Sequence, residues 1–178
     1  FGHSIKRRNP RMDEYVYAVK NGVQIFDLVQ TRSALSDACN YLVDVISQGG
    51  QILLVGTKAQ AAETIKSEAE RLGIAFITTH WVGGLFTNWE QIKTRVDKLI
   101  DMKKKFEAGD YKKYTKKEQE LLKREIDRLE RMNGGLVTLK GLPKTVFIVD
   151  PTREITAMRE ATRRDIPVVA VVDSNGDP

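Results

Sequence analysis

Gly49-Gly50-Gln51-Ile52-Leu53-Leu54-Val55-Gly56-Thr57-Lys58-Ala59-Gln60 decides the fold. Its apolar run, Ile52 to Val55, is continuous rather than alternating, as expected of a strand buried on both faces. The glycine pair before it ends a helix. The turn after it opens another helix over Ala59 to Leu72, with Ala62, Ile65, Ala69 and Leu72 inward and Gly73 as a left-handed stop. Upstream, Val23 to Leu28 reads as a strand. A helix follows from Thr31 whose inward face is Leu35, Ala38, Cys39, Leu42, Val45 and Ile46. Downstream, Ile74 to Ile77, Val146 to Val149 and Val168 to Val172 read as strands, the last two bracketing a helix from about Arg153 to Arg164. This alternation implies an α/β fold with a mostly parallel, doubly wound sheet of Rossmann or flavodoxin type.

Residues 89–132 interrupt the rhythm. Ile92, Val96, Leu99 and Phe106 fit a narrow heptad seam, and Leu122, Ile126 and Leu129 repeat it. Thr115-Lys116-Lys117-Glu118 has capping-box spacing, and Gly109-Asp110 suits a turn. The expected insert is an antiparallel helical (coiled-coil) hairpin over 89–132, with the α/β domain made of residues 1–88 and 133–178.

The 178 residues carry 29 Lys and Arg against 24 Asp and Glu, for a net charge of +5. Residues 1–20 contribute +3, residues 21–92 contribute −3, residues 93–131 contribute +5, and the remainder is neutral. Two basic segments are thus attached to a neutral or acidic body. A solvated charged face accounts for this, and so does a polyanionic partner. The hairpin turn gathers Lys103, Lys104, Lys105, Lys112, Lys113, Lys116 and Lys117. The other cluster is Lys6, Arg7, Arg8 and Arg11, with Asn9-Pro10 holding the segment extended, since the residue before proline avoids the α region.

A single cysteine, Cys39, excludes an intrachain disulfide framework, suggests a reducing compartment, and is placed by its helix face in the core. The longest apolar run, Ile166 to Val172, is far below the roughly 20 residues that span a bilayer. No signal-peptide pattern opens the sequence, so secreted disulfide scaffolds and membrane partners are not expected. A start at Phe1 and a stop at Pro178 read as a piece of something longer.

Enzymatic signals are sparse. GxGxxG and the Walker phosphate loop are missing. Gly56-Thr57-Lys58 at a strand end could hold an anion on helix-terminal amides, or be an ordinary turn; Lys58 and Gln60 are candidate RNA or protein contacts. Asp27, Asp150 and Asp173 end three strands. They could gather Mg²⁺ for phosphoryl transfer or phosphate reception, the alternative function, or simply cap helices and turns. His3 and His80 form no zinc pattern. In the loop His80 to Trp89, Trp81 and Trp89 either stack on unpaired bases or pack the hairpin base onto the sheet; packing is the favoured reading.

Taken in series, these residues resemble the family of the second protein of the bacterial small ribosomal subunit. The matching pieces are Phe1-Gly2-His3, Arg8 to Met12, Ile25 to Leu28 with Thr31, and Gly49 to Gln60. Trp81 to Gly84 with Thr87-Asn88, Leu142-Pro143 before Asp150, and Ile166 to Ala170 running to Asp173-Ser174-Asn175-Gly176-Asp177-Pro178 complete them. The resemblance implies an α/β domain with a protruding hairpin, and a chain that continues beyond both ends of this sequence. It further implies a non-enzymatic role with no cofactor, Mg²⁺ serving only as an rRNA counterion. The implied partners are 16S rRNA and neighbouring small-subunit proteins, including the large messenger-binding one, rather than a second copy of the chain. The implied location is the ribosome of the bacterial cytoplasm, or of a chloroplast or mitochondrion. One departure is His80, where the family usually carries arginine. The expected RNA contacts are Lys6, Arg7, Arg8, Asn9, Arg11, Lys58, Gln60, Lys103, Lys104, Lys105, Lys112, Lys113, Lys116 and Lys117.

Overall fold

A computed structural model describes residues 1–177. The chain opens with 3-10 turns at Ile5–Arg7 and Pro10–Tyr15, followed by β1 (Val16–Lys20) and β2 (Val23–Phe26). Then come α1 (Leu28–Ser47), β3 (Ile52–Val55), α2 (Ala59–Leu72) and β4 (Ala75–Ile77). Next are α3 (Trp89–Glu107), α4 (Lys116–Asn133), β5 (Thr145–Val149), α5 (Ile155–Arg163) and β6 (Val168–Val171). The main sheet is parallel throughout, in the order β4-β3-β5-β6. Leu53, Val55, Val146 and Ile148 are fully buried in it, as the unbroken apolar runs require. No helix among the described residues is long and apolar enough to cross a membrane.

The first two strands depart from the expected parallel rhythm. β2 pairs antiparallel with β1, which the sequence reading passed over. The missed signal is Asn21-Gly22, whose φ values of 53° and 75° make the two-residue turn that matches strand twist. Segment 2–5 covers the other edge of β2, through Gly2 N–H to the Gln24 carbonyl (2.8 Å) and Gln24 N–H to the His3 carbonyl (3.2 Å).

Helix α1 is a second departure. It begins at Leu28, where the Asp27 carboxylate accepts the Val29 and Gln30 amides, so this strand-end aspartate is a helix cap. None of its residues is buried: Leu35 is 60% and Ile46 52% exposed, and Cys39, expected in the core, is exposed as well. Ala38, Leu42 and Val45 alone are half-buried on the expected inward face, and Tyr41 reaches Thr145 Oγ1 at 2.9 Å. An apolar stripe records that a face can be buried. Here the described residues cover it only in part, leaving Leu35, Cys39 and Ile46 open. Leu72 at the end of α2 is likewise exposed rather than inward. Leu53→Ala should therefore cost about 3–5 kcal/mol, whereas Leu35→Ala should cost less than about 0.5 kcal/mol. Urea unfolding of the two variants measures this directly, and equal losses would contradict the packing described.

Helices α3 and α4 share a small core of Leu99, Met102, Ile126 and Leu129, with Tyr111 and Leu122 against it. Ion pairs Lys98–Glu125 (3.1 Å) and Lys103–Glu130 tie the two helices together. Ile92 and Val96 instead belong to the main core, so the first turns of α3 are anchored on the sheet layer. Phe106 was expected in the seam; Met102 takes the seam position and Phe106 turns towards Tyr111. The capping box forms as its spacing predicts, with Thr115 N–H donating to Glu118 Oε2 at 2.9 Å.

Candidate nucleic-acid interface

The first basic cluster is folded, not extended. Asn9 itself is extended, but 3-10 turns lie on both sides, and its side chain accepts the Arg11 amide. The segment is tied to the loop after β6: His3 N–H donates to Ser174 Oγ (2.7 Å) and Asn9 N–H to the Ser174 carbonyl (2.9 Å). His3 Nδ1 stands 3.0 Å from Asp173. Two of the four cations are engaged within the molecule. Arg11 reaches both oxygens of Asp177 (3.0 and 2.8 Å), and Arg8 lies 3.5 Å from Asp13. Lys6 and Arg7 have no ion-pair partner among the described residues and are exposed.

Lys58 and Gln60 sit at the carboxyl end of β3, beside the end of β5. Chain connections diverge here, β3 leading to β4 on one side and β5 to β6 on the other, which is where doubly wound sheets commonly hold ligands. The protein's own side chains occupy this crevice. Lys58 Nζ pairs with Asp150 at 2.9 Å, the Thr152 hydroxyl donates to the same carboxylate, and buried Glu154 accepts the Thr57 amide (3.3 Å) and hydroxyl. Burial pushes the Asp150 carboxyl up, but the hydrogen bonds from Thr152 and Lys58 outweigh it and hold the group below its ordinary value. Lys58 is thus largely neutralised, and Gln60 is exposed. Asp27, Asp150 and Asp173 each have a separate partner, in α1, Lys58 and His3. Among the described residues no three His, Cys, Asp or Glu side chains are grouped to hold a metal.

The second basic cluster surrounds residues 108–115 between α3 and α4. Lys105 pairs with Asp101 (2.7 Å) and Lys103 with Glu130, acids that the sequence reading underweighted. Lys104, Lys112, Lys113, Lys116 and Lys117 are exposed and have no ion-pair partner among the described residues. Lys116 and Lys117 open α4, where the helix dipole disfavours cations.

The loop before α3 is organised by a residue the sequence reading missed. Glu160, buried on α5, accepts Trp81 Nε1–H (3.1 Å), Gly84 N–H (2.8 Å) and Phe86 N–H (3.0 Å). Burial raises its pKa, but these donors outweigh that effect and lower it overall. Gly84 makes the turn possible, its φ of 87° being open to glycine and strained for other residues. Trp81 is buried and Trp89 packs against the same core, so the tryptophans serve packing. A clue existed: Glu160 lies three residues after Ala157 and one before Ala161, a carboxylate on the apolar face of its helix.

With this geometry in place, the whole chain, residues 1–178, matches the family described as Ribosomal protein S2. The chain belongs to the ribosomal protein S2 family. It is 44% identical over all 178 residues to the small ribosomal subunit protein uS2 of Dehalococcoides mccartyi, covering 73% of that relative. Over the same span it is 43% identical to uS2c of Rhodomonas salina, again covering 73%, and 44% identical to uS2 of Trichormus variabilis, covering 67%. The Mg²⁺ reading of the strand-end aspartates finds no support in these relationships or in the partners those side chains keep.

Proposed function

We propose that this chain is a structural constituent of the small ribosomal subunit, acting without chemistry of its own by binding 16S rRNA and neighbouring ribosomal proteins. The observation that carries the reading is the whole-chain family match at 44% identity. Two separated cationic surfaces support it physically. Lys6 and Arg7 form one, and Lys104, Lys112, Lys113, Lys116 and Lys117 form the other. Arg8, Asn9, Arg11, Lys58, Lys103 and Lys105 have intramolecular partners, so their role is to shape these surfaces more than to bind phosphate. Phosphate contacts orient a rigid body on folded RNA without reading sequence. No resident cofactor enters this mechanism; Mg²⁺ accompanies the RNA as a counterion. The messenger-binding ribosomal protein is a proposed neighbour, a second copy of this chain is not, and the setting is bacterial cytoplasm or an organelle.

Sedimentation tests the proposal. The tagged chain should co-migrate with 30S particles at low salt. Engaging six or seven phosphates should make the affinity of the free chain for 16S rRNA fall about a thousandfold between 50 and 200 mM salt. A chain that sediments free of ribosomal particles at every salt concentration contradicts the reading.

A further inference from the structure

Three aromatic rings meet at the turn between α3 and α4. Phe106 and Tyr111 have centroids 6.3 Å apart, and Tyr111 and Tyr114 are 6.0 Å apart in an edge-on arrangement. Tyr111 packs on the small core of the helix pair, and that contact explains its presence. It does not explain its neighbours, since Phe106 is 46% and Tyr114 43% exposed. Rings left this open forgo burial that a turn could have arranged, and they stand among cations. Lys113 Nζ is 5.9 Å from the Tyr114 centroid, and Lys104, Lys112, Lys116 and Lys117 are also exposed without ion-pair partners among the described residues. The acids nearest in the chain are Glu107, Asp110 and Glu118, and Glu118 is committed to the capping box.

An exposed aromatic ring with an ammonium group beside it and further exposed lysines close by in the chain is complementary to an unpaired nucleotide, which offers a π-face and a phosphate together. A paired helix offers phosphate alone, because its bases are already stacked on one another. We infer that the Phe106–Tyr111–Tyr114 cluster binds an unpaired RNA base, stacked on the exposed Tyr114 ring, while Lys112 and Lys113 hold the adjoining phosphates. The inference rests on the RNA-binding role proposed above and adds to it a preference for single-stranded loops at this turn.

The test uses the whole 178-residue chain and two RNAs of equal length, a fully paired duplex and a stem with a purine loop carrying 2-aminopurine. The chain should bind the looped RNA about 5- to 150-fold more tightly, the range that one stacked base provides, and binding should change the 2-aminopurine fluorescence. Tyr114→Leu keeps apolar bulk but removes the ring; it should abolish the preference and leave duplex affinity unchanged. Tyr114→Phe should retain the preference, which separates loss of stacking from loss of folding. An unchanged preference in Tyr114→Leu, or fluorescence that does not respond, overturns the inference. The combined Lys112→Glu and Lys113→Glu variant isolates the parent reading. If it weakens both RNAs while Tyr114→Leu changes neither, phosphate binding at the turn stands and stacking falls. If it weakens neither, the RNA contact at this turn falls with it. A Tyr114→Leu effect on retention by 30S particles but on neither RNA assigns the ring to a protein neighbour, and also overturns the inference.

Discussion

Replacing Lys104, Lys112, Lys113, Lys116 and Lys117 together by glutamate should lower affinity for 16S rRNA by at least about a thousandfold near 0.1 M salt. The five exposed ammonium groups lack an internal counterion among the described residues, so a phosphate that meets them displaces only salt and water. Reversal loses those contacts and adds repulsion. The variant should still fold. Lys116 and Lys117 occupy the first turn of α4, where carboxylates are favoured by roughly 0.3–1 kcal/mol each at low ionic strength, and the Thr115–Glu118 capping box is untouched. Cations kept where the helix would prefer anions imply a partner outside the helix. Titration across salt concentrations measures the effect, and the slope of log affinity against log salt should shrink with it. Lys112→Gln with Lys113→Gln, set against Lys103→Gln with Lys105→Gln, is the matched comparison, because the latter two lysines already pair with acids. Similar losses from the two variants would show that the unpaired lysines have no special part.

Glu160→Ala should cost about 3–5 kcal/mol, because it strands the Trp81 indole N–H and the Gly84 and Phe86 amides without an acceptor, each such loss being worth about 1–3 kcal/mol. For a domain of this size that corresponds to a fall in Tm of roughly 6–20 °C. The damage should concentrate in the loop over residues 81–88, which joins the sheet to α3, and hydrogen exchange of its amides should rise first. The same carboxylate makes stability depend on pH. Its folded pKa lies below the ordinary 4.5, so its contribution is complete above that value and is lost as pH falls through the folded pKa. Urea midpoints of the parent chain should hold steady near neutrality and fall below about pH 4.5. In Glu160→Gln, with no proton to gain there, the decline should be shallower. A parallel decline in the two proteins would remove Glu160 as its source.

Much of the architecture could be read along the chain because it is encoded locally. The continuous run at Ile52 to Val55 specifies a strand buried on two faces, Gly73 adopts the left-handed stop (φ 67°), and Thr115 with Glu118 makes its box within four residues. Each depends on residues that are neighbours in sequence, so spacing alone carries the information. Composition located the two basic segments for the same reason, and the series of motifs pointed to the family.

Which cations remain available was not legible. Lys58 meets Asp150 from 92 positions away and Lys103 meets Glu130 from 27, and no periodicity reports such pairs. Periodicity also misplaced Leu35, Cys39 and Ile46, since it records a face's capacity for burial and is silent on whether another element covers it. Glu160 hid within a charged-looking helix until the loop amides converged on it. Helix, strand and cap are thus local properties of this polypeptide, whereas the charge each residue presents to a partner depends on long-range contacts that form when distant segments meet.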